Sequence, residues 1–213
     1  MIYTFFWLTL FGIALGFFEA SVVVYLRQLY YPGAALFPLK EIPPDILRVE
    51  VLREFFSIVL ILAAAVLSGR NKALRAANFL FIFGVWDIVY YIFLWVFLGW
   101  PASVFDWDLL FLIPVPWVAP VLAPVLCSIS LIAFAVLIHR LARDGWPLPM
   151  TWKDIAVAVV ASIPILVSFF LETGTVLEHG VPGRYSWFLL ILGLAMAWGY
   201  AIVRIKQIKR FES

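Results

Sequence analysis

The sequence is short of cysteine, of histidine and of charge. Its single cysteine, Cys127, excludes an intrachain disulfide and a CxxC metal site. Only 13% of the residues are charged, about half the share usual in soluble domains, so a soluble globular fold is excluded. The basic residues form no run apart from a short C-terminal one, which removes nucleic acid as a partner. GxSxG, HExxH, Walker and GxGxxG motifs are all missing, and with them any signature of a hydrolase, a zincin or a nucleotide site. There is also no internal repeat of the kind that builds inverted-repeat transporters.

What the chain has is apolar length. Of its 213 residues 65% are hydrophobic. A membrane-spanning helix needs about 20 mainly apolar residues, and six segments qualify: 3–26, 46–67, 76–98, 109–138, 155–171 and 187–203. The first has no basic n-region, is too long for a signal and contains Glu19, so it is expected to remain as a helix. The expected fold is therefore an all-α polytopic bundle of six transmembrane helices forming one domain, 1–213, with membrane lipid as its surroundings. Four prolines, Pro114, Pro116, Pro120 and Pro124, break the fourth helix, because each removes a backbone donor and frees a carbonyl.

Lys and Arg alternate between the connections. Arg70, Lys72, Arg75, Arg140, Arg143, Lys153, Arg204, Lys206, Lys209 and Arg210 mark the second and fourth connections and the C-terminal end. The positive-inside rule then makes both termini cytoplasmic, and the expected location is a bacterial-type plasma membrane. Of the acids only Asp144, Asp154 and Glu212 fall inside; the other ten map to the outer half, so any chemistry is expected to face outward. The outer connections, 27–45, 99–108 and 172–186, are candidates for a cap over the bundle. The first, with Tyr30, Tyr31, Pro32 and Gly33, is expected to lie along the membrane surface.

An ionisable group inside a bilayer costs about 2.5–3.5 kcal/mol on insertion scales, so each one requires an explanation. Glu19 lies about 24 Å along the first helix, below the outer interface. On the second helix Glu50 and Glu54 are four residues apart, Arg53 lies beside them and Ser57 extends the stripe. This face suits a cation, a proton or an anion, or serves only as an ion-pair ladder at the interface. Asp87, in Trp86-Asp87-Ile88-Val89-Tyr90-Tyr91, is the deepest charge. No charged residue lies within one turn of it. Either Arg53 or Arg27 from another helix pairs with it, or burial keeps it protonated, while Tyr90 and Tyr91 are placed to hydrogen-bond it or a ligand. Asp106 and Asp108 open the proline-rich segment as loop acids that join the site or remain solvated.

Cofactors stay undetermined. His139 and His179 belong to segments expected on opposite sides and cannot ligate one haem between them. No Glu-x-x-His pair of the di-iron type occurs. A hard-cation site built from Glu19, Glu50, Glu54 and Asp87 remains open. Gly12-x-x-x-Gly16 and Gly193-x-x-x-Ala197 are expected to serve helix packing within the chain.

Trp86-Asp87, Phe105-Asp106-Trp107-Asp108 and Leu112-Ile113-Pro114 resemble the layout of small membrane-embedded carotenoid cyclases. Where that family carries a Pro-x-Glu-Glu acid pair this chain has Pro114-Val115-Pro116-Trp117, so no residue role transfers. Two functions fit the pattern. One is a self-contained site for a cation, a proton or a small amphipathic substrate, in a transporter or a membrane enzyme. The other is a membrane subunit whose acidic loops dock a protein partner in a larger complex.

Overall fold

The computed structural model describes residues 2–32 and 36–210; Gly33 and Glu212, assigned above by sequence, lie outside them. Its long helices are α1 (Ile2–Tyr30), α2 (Pro44–Ser68), α3 (Lys72–Leu98), α4 (Leu122–Arg143), α5 (Trp152–Phe170) and α7 (Trp187–Arg210). A hairpin, β1 (Trp107–Phe111) and β2 (Trp117–Pro120), lies between α3 and α4, and a short helix α6 (Thr173–Leu177) continues α5. Six helices are long and apolar enough to cross a membrane, the α5–α6 stretch counting as one.

Local chemistry sets the helix ends. Asn71 caps α3 by accepting the Leu74 N–H at 2.9 Å. Gly99 ends α3 in the left-handed conformation at φ 64°, which a residue without Cβ adopts at little cost. Thr151 and Asp154 form a capping box at the start of α5.

The fourth span departs from expectation. Its first residues, from 109, are not a kinked helix but part of an antiparallel hairpin pairing Asp108 with Ala119 and Leu109 with Val118. The physical reason lies in the prolines. Pro114 and Pro116 sit in the turn, Pro120 ends β2, and Pro124 falls in the first turn of α4, where a missing N–H breaks no intrahelical bond. The fold is thus a helical bundle with one inserted hairpin, and Val118 and Ala119 of that hairpin are fully buried.

The core joins α1, α2, α3 and α4 around Leu15, Ile61, Phe81, Ile82 and Ala135. Gly12 and Gly16 let α1 approach Val85 and Val89 of α3, and Gly193 lets α7 approach Ile165 of α5, so both small-residue motifs pack within the chain. At Gly84 a Cβ would come within 2.7 Å of the Ser128 carbonyl oxygen, so only glycine permits this approach of α3 to α4. Helices α5 and α7 pair at the periphery, with Ile163, Val167, Phe188 and Ile191 exposed.

The bundle has two polar ends. At one, Asn78 bridges α2 to α4: its amide donates to Ser68 at 2.8 Å and its carbonyl oxygen lies 2.7 Å from His139 Nε2. The Phe5 ring covers His139 there, and Arg204 of α7 reaches Asp154 of α5 at 3.0 Å. At the other end, the hairpin and the connections after α1 and α6 border a cavity. The first connection does not simply lie flat, since Leu36, Leu39 and Ile42 line that cavity and the Leu39 carbonyl oxygen is 3.1 Å from His179 Nδ1.

Candidate functional site

The cavity encloses about 600 Å³, within the range of small-molecule sites. Its walls are mainly apolar, with Phe83, Trp86, Phe111, Trp117 and Phe169 among the lining residues, and carboxyl groups reach it from α1, α2, α3 and β1. Trp86 packs against Phe111 with ring centroids 6.0 Å apart, and Phe111 against Trp117 at 5.3 Å, forming a continuous aromatic wall.

The first polar group centres on Arg53. Its guanidinium pairs with Glu19 of α1 and, one turn back on its own helix, with Glu50 at 2.8 Å. The Ser57 hydroxyl donates to Glu19 as well. The spacing Glu50-Arg53-Ser57 places all three on one stripe of α2, and Gly12 and Gly16 bring α1 into the bundle through α3. Both carboxylates of this group are buried, so the single arginine compensates two charges.

Glu54, one turn beyond Glu50, is engaged differently: it accepts the Leu112 backbone N–H at 2.8 Å, tying α2 to the hairpin. Among the described residues Asp87 accepts only the Ser128 hydroxyl, at 2.8 Å. Neither arginine proposed above as a partner of Asp87 is spent on it. Arg53 holds Glu19 and Glu50, and Arg27 pairs with Asp108 at 3.2 Å while stacking on Trp100 at 3.7 Å. Tyr91 likewise donates to Asp108, at 3.1 Å, rather than to Asp87; Tyr90 lines the cavity.

Asp108 is almost wholly buried, at 2% exposure. Burial pushes its carboxyl up to about 6, against the opposing pull of Arg27 and of the Tyr91 hydroxyl. Asp106, two residues earlier, does not reach the cavity. It accepts the Ala102 and Ser103 backbone N–H groups at 2.8 and 3.1 Å and so fixes the turn before the hairpin.

Of the residues singled out from sequence, Glu19, Glu50, Arg53, Glu54, Asp87, Tyr90, Tyr91 and Asp108 all line the one cavity, and Asp106 does not. The lining also includes Arg27, offered above only as a partner of Asp87, and Lys40, Glu41, Trp117, Ser128 and His179, which sequence reasoning did not place in the site. For Arg27 the signal was its position at the end of the first helix; for Ser128 an isolated serine carries none. Among the described residues the indole N–H groups of Trp86 and Trp117 are buried without a partner, as is Nε of Arg27. Among the described residues no three His, Cys, Asp or Glu side chains are placed to hold a metal ion.

Six apolar helices of this length make the chain a multi-pass membrane protein. Comparison with protein-family models, with curated proteins and with solved structures finds no match.

Proposed function

We propose that the chain is a self-contained membrane protein whose outward-facing cavity binds a small amphipathic substrate, as a transporter or a membrane enzyme. The observation that carries this reading is the convergence of carboxyl groups from α1, α2, α3 and β1 on a single, mainly apolar space. Buried charge is costly and persists where it is paired or used. Glu19 and Glu50 are paired through Arg53 and Asp108 through Arg27, whereas Glu54 and Asp87 have only neutral donors. With no triad of metal-ligating side chains among the described residues, the geometry favours an organic occupant over a hard metal ion.

The distribution of Lys and Arg supports an orientation with both termini in the cytoplasm, which turns the cavity mouth outward. Native mass spectrometry of the protein released from its own membranes in mild detergent tests the reading. The expected result is a single polypeptide carrying a reproducible small added mass, lost in Asp87→Asn. A stoichiometric second polypeptide with no added mass on this chain would overturn it in favour of a subunit role.

A further inference from the structure

Charge balance in the cavity says more about the occupant. Six carboxyl groups line it, against three Lys and Arg side chains. Arg53 is committed to Glu19 and Glu50, and Arg27 to Asp108. Lys40 and Glu41 come from the connection after α1, with the Lys40 ammonium 5.4 Å from the Tyr31 ring, and His179 comes from the connection after α6. The groups that face Asp87 from α1, α2, β1 and α4 are therefore already paired, except Glu54. Tyr90, Tyr91 and Cys127 add no positive charge. Among the described residues Glu54 and Asp87 stand on two helices as carboxyl groups outside any direct ion pair, with Arg53 near Glu54 but bonded to Glu19 and Glu50, and the aromatic wall of Trp86, Phe111 and Trp117 lines the same space.

A low-dielectric space does not hold two uncompensated carboxylates; each needs a proton or a positive charge. Aromatic faces and a carboxylate together are the physical means of holding an organic cation, because ring quadrupoles attract a positive centre that has shed its water. A small inorganic ion would find too few oxygen ligands and too much apolar wall. We infer that the occupant of this cavity is a lipophilic organic cation of the quaternary ammonium or phosphonium type, bound against Glu54 and Asp87 in exchange for a proton. On entry of the cation a carboxyl O–H bond breaks, the proton leaves to water, and the carboxylate left behind is the counter-ion. This rests on the cavity being a substrate site and names the substrate class.

The test uses the full chain in lipid nanodiscs and two probes that share three phenyl rings, the cation methyltriphenylphosphonium and the neutral triphenylphosphine oxide. Equilibrium dialysis at pH 8 should show the cation binding at least about tenfold more tightly than the oxide. Asp87→Asn and Glu54→Gln should each weaken the cation at least about tenfold and leave the oxide unchanged. Calorimetry of the unaltered protein in buffers of different ionisation enthalpy should show release of about one proton near pH 7, with affinity rising as pH rises. If the oxide binds as tightly as the cation, or no proton is released, the inference fails while the amphipathic-substrate reading stands. If neither probe binds, both fail.

Discussion

The two ends of this bundle bury polar groups in different ways. At the end holding Asn78 and His139 the buried amide is satisfied: Asn78 is fully buried, and both ends of its amide have partners on neighbouring helices. Asp154, on the same side, accepts from Thr151, Tyr200 and Arg204. At the cavity end polar capacity is left over. Glu54 and Asp87 each accept one neutral donor, and the indoles of Trp86 and Trp117 donate to nothing. A polar group that only holds helices together is expected to be satisfied, since an open one costs free energy. The difference separates a structural clasp from a space shaped for something else.

The strongest test of that contrast is Arg53→Leu, which strands Glu19 and Glu50 together in a buried setting. Removing one partner of a buried pair costs about 3–5 kcal/mol, so the variant should lose folded protein in a thermal-aggregation assay. If the double variant Glu19→Gln with Glu50→Gln restores folding to Arg53→Leu, the stranded charge is the cause. Gly84→Ala comes next. Its added Cβ meets the Ser128 carbonyl, so α4 must shift away from α3 and carry Ser128 from Asp87. Overpacking of this kind typically costs about 1–3 kcal/mol, and ligand affinity should fall more than that of a peripheral variant of equal stability.

Asn78→Ala opens the closed end, leaving His139 and Ser68 without their bridge. Interhelical hydrogen bonds in membranes are worth about 0.6–1.7 kcal/mol, and the unfolding midpoint should drop accordingly with no change in substrate binding. Asp87→Asn should behave in the opposite way, with stability within about 1 kcal/mol of the parent because its carboxyl compensates no cation. Equal loss of stability in the two variants would erase the distinction between the ends.

The smallest effect concerns pH. Asp108 has its carboxyl raised from an ordinary 3.8 to about 6, so the folded chain holds this proton more tightly than the unfolded one. Its contribution to stability is therefore complete below about pH 4 and lost as pH rises through about 6. Comparing the midpoints of the parent and Asp108→Asn between pH 4 and pH 8 should show a shallower decline in the variant. Parallel curves would remove Asp108 as a titrating group.

The carboxyl groups were legible in the sequence because they interrupt apolar runs, where a charge stands out against Leu, Ile and Phe. Five of the six candidate carboxyl groups meet in the cavity, and the sixth, Asp106, is spent on the turn before β1. Ser128 and Trp117 were not legible. A serine in an apolar helix and a tryptophan among prolines have the same local pattern whether they face a cavity or a packed neighbour. The proline cluster correctly excluded a regular helix, yet it did not select a hairpin, because Pro114 and Pro116 only forbid donors and do not specify which carbonyl pairs with which.

By itself, then, the sequence determined the membrane setting, the six spans and the placing of most acids toward one end. Those features depend on the transfer of each residue between water and hydrocarbon, which is a local property. Only the tertiary structure decided which charges pair. Beyond the local Glu50–Arg53 pair, Arg53 took Glu19 of α1, Arg27 took Asp108 of β1, and Asp87 was left with the Ser128 hydroxyl of α4, which Gly84 lets approach, because partners on different elements meet only where packing brings them together. Pairing is a contest among groups far apart in the chain, and packing settles it.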